Sequence, residues 1–130
     1  MKLRFSHLFY SFSVLAVILF GTLATTQATN PSLKEKQRLL MLEKNYKQSK
    51  SLYVSNPKNE NFRKAYILDT LTLGNAIMTS TTLAPKAKYP HALRLFREVL
   101  VIDPKNRSAM KNKELIEGIY KSMGRPIPKS

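Results

Sequence analysis

Residues 89–106 read YPHALRLFREVLVIDPKN, and the rest of the chain can be interpreted around them. Pro90 suits the first position of a helix, where a backbone N–H has no partner in any case. The apolar residues recur at the three-and-four spacing that places side chains on one helix face: Ala92, Phe96, Val99 and Leu100. Pro104 then ends the pattern. The stretch predicts one short helix with a firm stop.

The spacing Ala92-x3-Phe96 with a later proline resembles the second helix of a tetratricopeptide repeat, in which a small residue lets two helices approach. Upstream, Leu73-Gly74-x2-Ile77 resembles the repeat's first helix, and Gly74 is expected at a close helix crossing. The residues that carry the resemblance are Leu73, Gly74, Ile77, Tyr89, Ala92, Phe96 and Pro104. Thr70 replaces a bulky residue of the family, and a loop over residues 79–88 exceeds its tight turn. The alternative is an unrelated amphipathic helical hairpin.

The composition is strongly basic. Of 130 residues, 22 are Lys or Arg and 8 are Asp or Glu, which gives a formal net charge of +14. Such a surface favours anionic partners, namely nucleic acid, lipid headgroups, envelope polymers or an acidic protein face. Cysteine is absent, which excludes disulfides, thiol catalysis and cysteine metal sites.

The first 28 residues have the layout of a secretory signal peptide. Lys2 and Arg4 precede an apolar run over residues 8–20, and small residues lead to Ala28. We expect cleavage after Ala28, with Thr22 and Ala24 marking a second possible site, and export to a periplasmic, lumenal or extracellular location. The alternative is an uncleaved membrane anchor. Cleavage would remove two basic residues and no acidic ones, leaving a formal charge of +12.

Three further segments are expected after the leader. Residues 29–57 form a linker and a basic helix beginning near Leu33, with a Ser32/Glu35 capping box. Its apolar stripe comprises Leu39, Leu42, Tyr46 and Tyr53. Its lysines indicate either a solvated outer helix or a helix that binds a membrane surface or a partner.

Residues 58–106 form the hairpin that resembles the repeat, with a buried helix near residues 60–80 in which Asp69 is expected to pair with a basic residue. Residues 107–130 form a capping helix, begun by Asn106 or Ser108 and ended at Gly124, and a proline-containing tail. The predicted fold is all-α: about four helices in antiparallel hairpins, stacked as a short solenoid similar to tetratricopeptide repeats.

No pattern for catalysis or for cofactor binding is present in the sequence. His91 has no acidic neighbour in sequence to orient it and is expected at the surface. Tyr46-x3-Lys50 lacks a glycine-rich nucleotide motif, and no metal-ligand spacing occurs. We therefore expect neither an enzyme nor a cofactor or metal site.

The resemblance also implies candidate binding residues. Family members that clamp a terminal carboxylate use two asparagines, which correspond to Asn75 and Asn112, whereas Leu71 replaces a lysine of that clamp. Lys111 and Lys113 are expected at the rim. The leading interpretation is an exported module that binds a protein or peptide on a concave helical face, where the basic composition favours an acidic partner. The alternative is a cationic factor for anionic lipid headgroups or envelope polymer. Nucleic acid is not expected, and the sequence does not give the oligomeric state.

Overall fold

The computed structural model describes residues 30–129, which form four α-helices and no strand. They are α1 (Pro31–Ser55), α2 (Glu60–Met78), α3 (Pro85–Ile102) and α4 (Arg107–Ser122). The predicted all-α class is confirmed. The predicted leader, residues 1–28, lies outside the described residues.

Asparagine begins three of the four helices. The side chains of Asn30, Asn59 and Asn106 accept hydrogen bonds from backbone N–H groups of the first turns of α1, α2 and α4. Such a cap satisfies donors that have no partner inside the helix. The capping box of Ser32 and Glu35 was therefore a wrong prediction, because Asn30 already caps α1 and Glu35 binds elsewhere.

Helix α3 begins one turn earlier than Pro90 suggested. Pro85 lies in its first turn, next to the cap residue Ala84, and Pro90 lies inside the helix. A proline inside a helix removes one hydrogen bond to the residue four positions earlier, which here is Lys86. The predicted loop over residues 79–88 shortens accordingly to residues 79–84.

The ends of α3 and α4 follow the sequence signals. Helix α3 ends at Ile102 with Asp103 as its cap, directly before Pro104. After α4, Gly124 has a φ of 63°, a left-handed conformation that glycine adopts without strain. The N–H groups of Gly124 and Arg125 donate to the carbonyls of Lys121 and Tyr120, which is the Schellman pattern. The chain therefore turns back sharply after α4.

Each helix packs against its neighbours in sequence, and α2 lies between α1 and α3. The core is one cluster to which all four helices contribute: Tyr46, Tyr66, Leu73, Ile77, Ala92, Leu93, Leu95, Phe96, Val99, Ala109, Ile116 and Tyr120. Leu73, Ala92 and Phe96 are at most 1% exposed, whereas Tyr89 is half-buried against this cluster. Gly74 lies directly against the ring of Phe96, so α2 and α3 approach closely at this point.

Two expectations about α1 and α2 have different outcomes. The stripe of α1 faces the core, with Tyr46 buried and Leu39, Leu42 and Tyr53 packed at its edge. The expected partner of Asp69 is not found among residues 30–129, because Asp69 forms none of the ion pairs there. Asp69 is half-buried and lines an open notch between α1 and α2, so water can solvate its carboxylate.

No described helix combines the length and apolarity that crossing a bilayer requires.

Candidate binding surface

Two candidate residues, Asn75 of α2 and Asn112 of α4, contact each other directly. The side-chain Nδ2 of Asn112 donates a hydrogen bond to Oδ1 of Asn75 at 2.6 Å. Both residues are half-buried. The bond therefore links α2 to α4, which are separated in the chain by α3.

The pair leaves one amide nitrogen and one amide oxygen without a partner. Nδ2 of Asn75 and Oδ1 of Asn112 make no hydrogen bond with another residue of 30–129, and no fully buried side-chain polar atom in that range lacks a partner. Both atoms are therefore accessible to solvent. An amide N–H donor beside a carbonyl acceptor has the hydrogen-bonding capacity of one peptide unit.

Apolar side chains lie on the same two helices. Leu68, two turns before Asn75 on α2, is 64% exposed, and Leu115, one turn after Asn112 on α4, is 53% exposed. Residues spaced by seven or three positions share one side of a helix. Leu68 and Leu115 thus lie on the same sides of α2 and α4 as Asn75 and Asn112.

The two candidate lysines differ in their surroundings. Lys111 is exposed, whereas Nζ of Lys113 forms an ion pair with Oε2 of Glu117 at 3.2 Å. Glu117 also pairs with Arg97 of α3 at 3.2 Å. Partial burial raises the pKa of Glu117, but the hydrogen bonds from Lys113 and Arg97 outweigh it and hold the pKa below its ordinary value. Lys111 is therefore the better placed of the two to meet a charged partner.

A cluster around Glu98 of α3 was not foreseen from the sequence. Its carboxylate accepts hydrogen bonds from the hydroxyls of Tyr46 on α1, at 3.0 Å, and of Tyr66 on α2. Nζ of Lys50 lies 2.8 Å from Glu98 and 3.0 Å from the Tyr46 hydroxyl. These bonds, with Glu98 the largest cause and Tyr46 next, raise the pKa of Lys50. One carboxylate thus connects three helices.

The helical spacing of Tyr46 and Lys50 was visible in the sequence, but Tyr66 and Glu98 gave no signal that they would meet it. The cluster borders a cavity of about 330 Å³ that Tyr53, Val54 and Val101 also line. The ring of Tyr53 stacks on that of Tyr66 with centroids 5.3 Å apart. Glu98, Lys50 and the hydroxyls of Tyr46 and Tyr66 all form hydrogen bonds within the cluster. The cluster therefore has a structural role, which is to hold the three helices together.

A second unforeseen contact involves Glu35 of α1, which binds the loop between α2 and α3. Its carboxylate accepts from the hydroxyl of Ser80 at 2.5 Å, and from the N–H and hydroxyl of Thr81 at 3.1 and 2.8 Å. These bonds, led by that from Ser80, lower the pKa of Glu35 to about 2. Hydrogen bonds to the ionised form stabilise it, so Glu35 holds the loop through its charge.

His91 is half-buried rather than exposed, which corrects its expected surface position. Burial is the main cause that lowers its pKa, and the charge of Arg94 adds to the effect. His91 is partly buried because α3 begins at Pro85 rather than at Pro90, so that His91 lies within the helix and not at its end. Among residues 30–129 no cluster of His, Asp and Glu could hold a metal ion.

Comparisons of the chain with protein-family models, with curated proteins and with solved structures find no match. The resemblance to tetratricopeptide repeats therefore rests on the sequence positions named above and remains a prediction.

Proposed function

We propose that this chain is an exported interaction module, similar to a tetratricopeptide repeat protein, that binds an extended protein segment across α2 and α4. The observation that carries the proposal is the 2.6 Å hydrogen bond between Asn112 and Asn75. This bond fixes two amides side by side on α2 and α4, with Nδ2 of Asn75 and Oδ1 of Asn112 accessible. A fixed polar pair loses little conformational freedom when a partner binds.

The chemistry of this pair matches the main chain of a peptide. Nδ2 of Asn75 can donate to a peptide carbonyl, and Oδ1 of Asn112 can accept from a peptide N–H. Leu68 and Leu115, both exposed, supply apolar contacts on the same two helices. Lys111 and the high net charge favour acidic residues in the partner and accelerate its approach.

A clamp for a terminal carboxylate is a poorer match. A carboxylate accepts only, so both amides would have to donate, and such clamps take much of their binding energy from a charged donor. Here one of the two N–H groups of Asn112 Nδ2 is committed to Asn75, and Leu71 occupies the position of one family lysine, so the charged donor is missing. The proposed ligand is therefore an internal segment rather than a chain end.

The experiment starts from peptides selected on the purified chain from a random library, with their affinities measured over a salt series. Asn75→Ala with Asn112→Ala should weaken binding at moderate salt by about tenfold, as the loss of two hydrogen bonds would. Lys111→Ala with Lys113→Ala should act mainly at low salt. Amidation of the peptide's carboxyl end should have no effect.

Two results would count against this function. Selected peptides that bind the asparagine variant as tightly as the unchanged chain would show that α2 and α4 do not form the site. Affinity that disappears by physiological salt, with no effect of the asparagines, would favour the cationic envelope-binding alternative. Export is part of the same proposal, and an intact-mass measurement on protein from its native host should find a chain that begins at Thr29.

A further inference from the structure

Helix α1 carries a second set of apolar side chains on the side that faces solvent. Leu33, Leu40 and Met41 are 51%, 62% and 60% exposed. At 3.6 residues per turn these three positions lie within about 100° of one another and on the opposite side of α1 from Tyr46, which faces the core. We call Leu33, Leu40 and Met41, with the exposed Lys44 between them, the outer face of α1.

Basic residues border this outer face on both sides. Lys36 and Lys47 lie along one edge, Lys34 and Arg38 lie along the other, and all four are exposed. The two acidic residues of α1 offset part of this charge, but α1 stays basic with six Lys or Arg residues against two Glu. The carboxylate of Glu35 is bonded to the loop at Ser80 and Thr81, and that of Glu43 lies 3.4 Å from Lys47.

An apolar strip edged by lysine and arginine is the arrangement of a helix that lies in a membrane interface. The apolar side chains enter the boundary of the acyl chains, and the basic side chains reach anionic headgroups. We propose that the outer face of α1 docks the protein on a bilayer surface that contains anionic lipid. This is independent of the proposed peptide site, which uses α2 and α4.

Other occupants fit the outer face less well. A soluble polyanion would use the lysines but gains nothing from Leu33, Leu40 and Met41. A second copy of the chain would use the apolar strip, but a symmetric dimer places the same surface against itself. Its lysines would then face lysines, and like charges across an interface are unfavourable. An anionic bilayer satisfies both the apolar and the basic parts.

The test measures binding of the purified chain to vesicles of phosphatidylcholine alone and to vesicles that also contain phosphatidylglycerol. The test uses residues 29–130, the exported chain that the proposed function predicts, which lacks the apolar run of residues 8–20 and in which residues 30–129 share one hydrophobic cluster. Circular dichroism and urea unfolding verify that each variant folds. We expect binding to the anionic vesicles, weak binding to the neutral ones, and a decrease with salt.

The decisive variant is Leu40→Ser with Met41→Ser, which keeps every charge. Its partition onto anionic vesicles should fall by about tenfold or more, because the inserted apolar groups are lost. The matched control is Val101→Ser on α3, which is 84% exposed, lies outside both proposed sites and should bind as the unchanged chain does. Lys36→Gln with Lys44→Gln should also weaken binding and reduce its salt dependence.

Three outcomes would overturn the proposal. The first is no binding of the unchanged chain to anionic vesicles. The second is that the Leu40→Ser/Met41→Ser variant binds anionic vesicles as tightly as the unchanged chain, and that both proteins bind heparin equally. This would show that the surface binds anions through its charge alone. The third is a dimer in solution that this variant converts to a monomer, which would make the outer face an interface between copies.

Discussion

A Cβ atom on Gly74 of α2 would lie 2.9 Å from Cε1 of Phe96 on α3. Carbon atoms pack favourably at about 3.5–4.0 Å, and the ring of Phe96 is fully buried, so it has no room to withdraw. Gly74→Ala should therefore lower the free energy of unfolding by roughly 1–3 kcal/mol, as overpacking does, even though alanine favours helices more than glycine does. Urea unfolding measures the change.

The same contact predicts a compensating variant. In a chain that carries Phe96→Leu, the ring is gone, and Gly74→Ala should become neutral or stabilising because only the helix preference remains. A double-mutant cycle of the four proteins gives the coupling free energy. Equal effects of Gly74→Ala in both backgrounds would show that Phe96 does not set the helix distance.

Phe96→Ala should destabilise the fold by roughly 3–5 kcal/mol, the usual cost of removing a buried aromatic ring. Phe96 is 0% exposed and contributes the largest fully buried side chain among residues 30–129. Val101→Ala is the control on the same helix, because Val101 is 84% exposed. An unchanged urea midpoint for the Phe96 variant would mean that the core is not organised around this residue.

The Glu98 cluster predicts different effects for three tyrosines. Tyr66→Phe and Tyr46→Phe each remove a hydroxyl that donates to Glu98, and each should lower the free energy of unfolding by roughly 1–2 kcal/mol, as for a hydrogen bond to a charged group that is partly solvated. Tyr53→Phe is the matched control, since Tyr53 stacks on Tyr66 but donates no hydrogen bond to residues 30–129. If the three variants unfold at the same urea concentration, the hydroxyl bonds to Glu98 contribute nothing.

The lowered pKa of Glu35 predicts how the free energy of unfolding changes at acidic pH. Its pKa is about 2 in the folded chain, against an ordinary value of 4.5. The unfolded chain therefore binds more protons between these values, and stability falls as the pH is lowered from 4.5 toward 2. Glu35→Gln should make this decrease shallower and should leave its slope above pH 4.5 unchanged. The measurement is the free energy of unfolding over a pH series.

Glu114→Gln provides the comparison for that series. Glu114 is exposed and forms no hydrogen bond or ion pair with residues 30–129, so its replacement should keep the acid slope of the unchanged protein. If the free energy of unfolding falls equally steeply with decreasing pH in Glu35→Gln and Glu114→Gln, the hydrogen bonds of Glu35 with Ser80 and Thr81 do not cause the acid dependence of stability.

Local signals in the sequence predicted the helices well. Asn106, Pro104 and Gly124 mark helix ends through hydrogen bonding and backbone geometry that depend on a few neighbouring residues, and all three mark them in the structure. The start of α3 was misplaced because Pro85 and Pro90 both satisfy the rule for a first turn. Only packing of the extra turn decides between them.

Contacts between distant residues were less predictable. Tyr46 and Glu98 are separated by 52 positions, and Glu35 and Ser80 by 45, so no periodicity connects them. The contact of Asn75 with Asn112 could be anticipated only as far as the repeat resemblance places both on first helices. Their mutual hydrogen bond depends on the distance between α2 and α4, which the core residues set.

The shared carboxylate of Glu98 also limits how the chain can be divided. In a repeat array each unit contacts only the next, and units can be removed one at a time. Here a group on α3 bonds to α1 as well as to α2, so excision of α1 would leave a partly buried charge without two of its donors, Tyr46 and Lys50. The smallest autonomous folding unit is therefore expected to contain α1, α2 and α3 together, and a two-helix fragment should not fold alone.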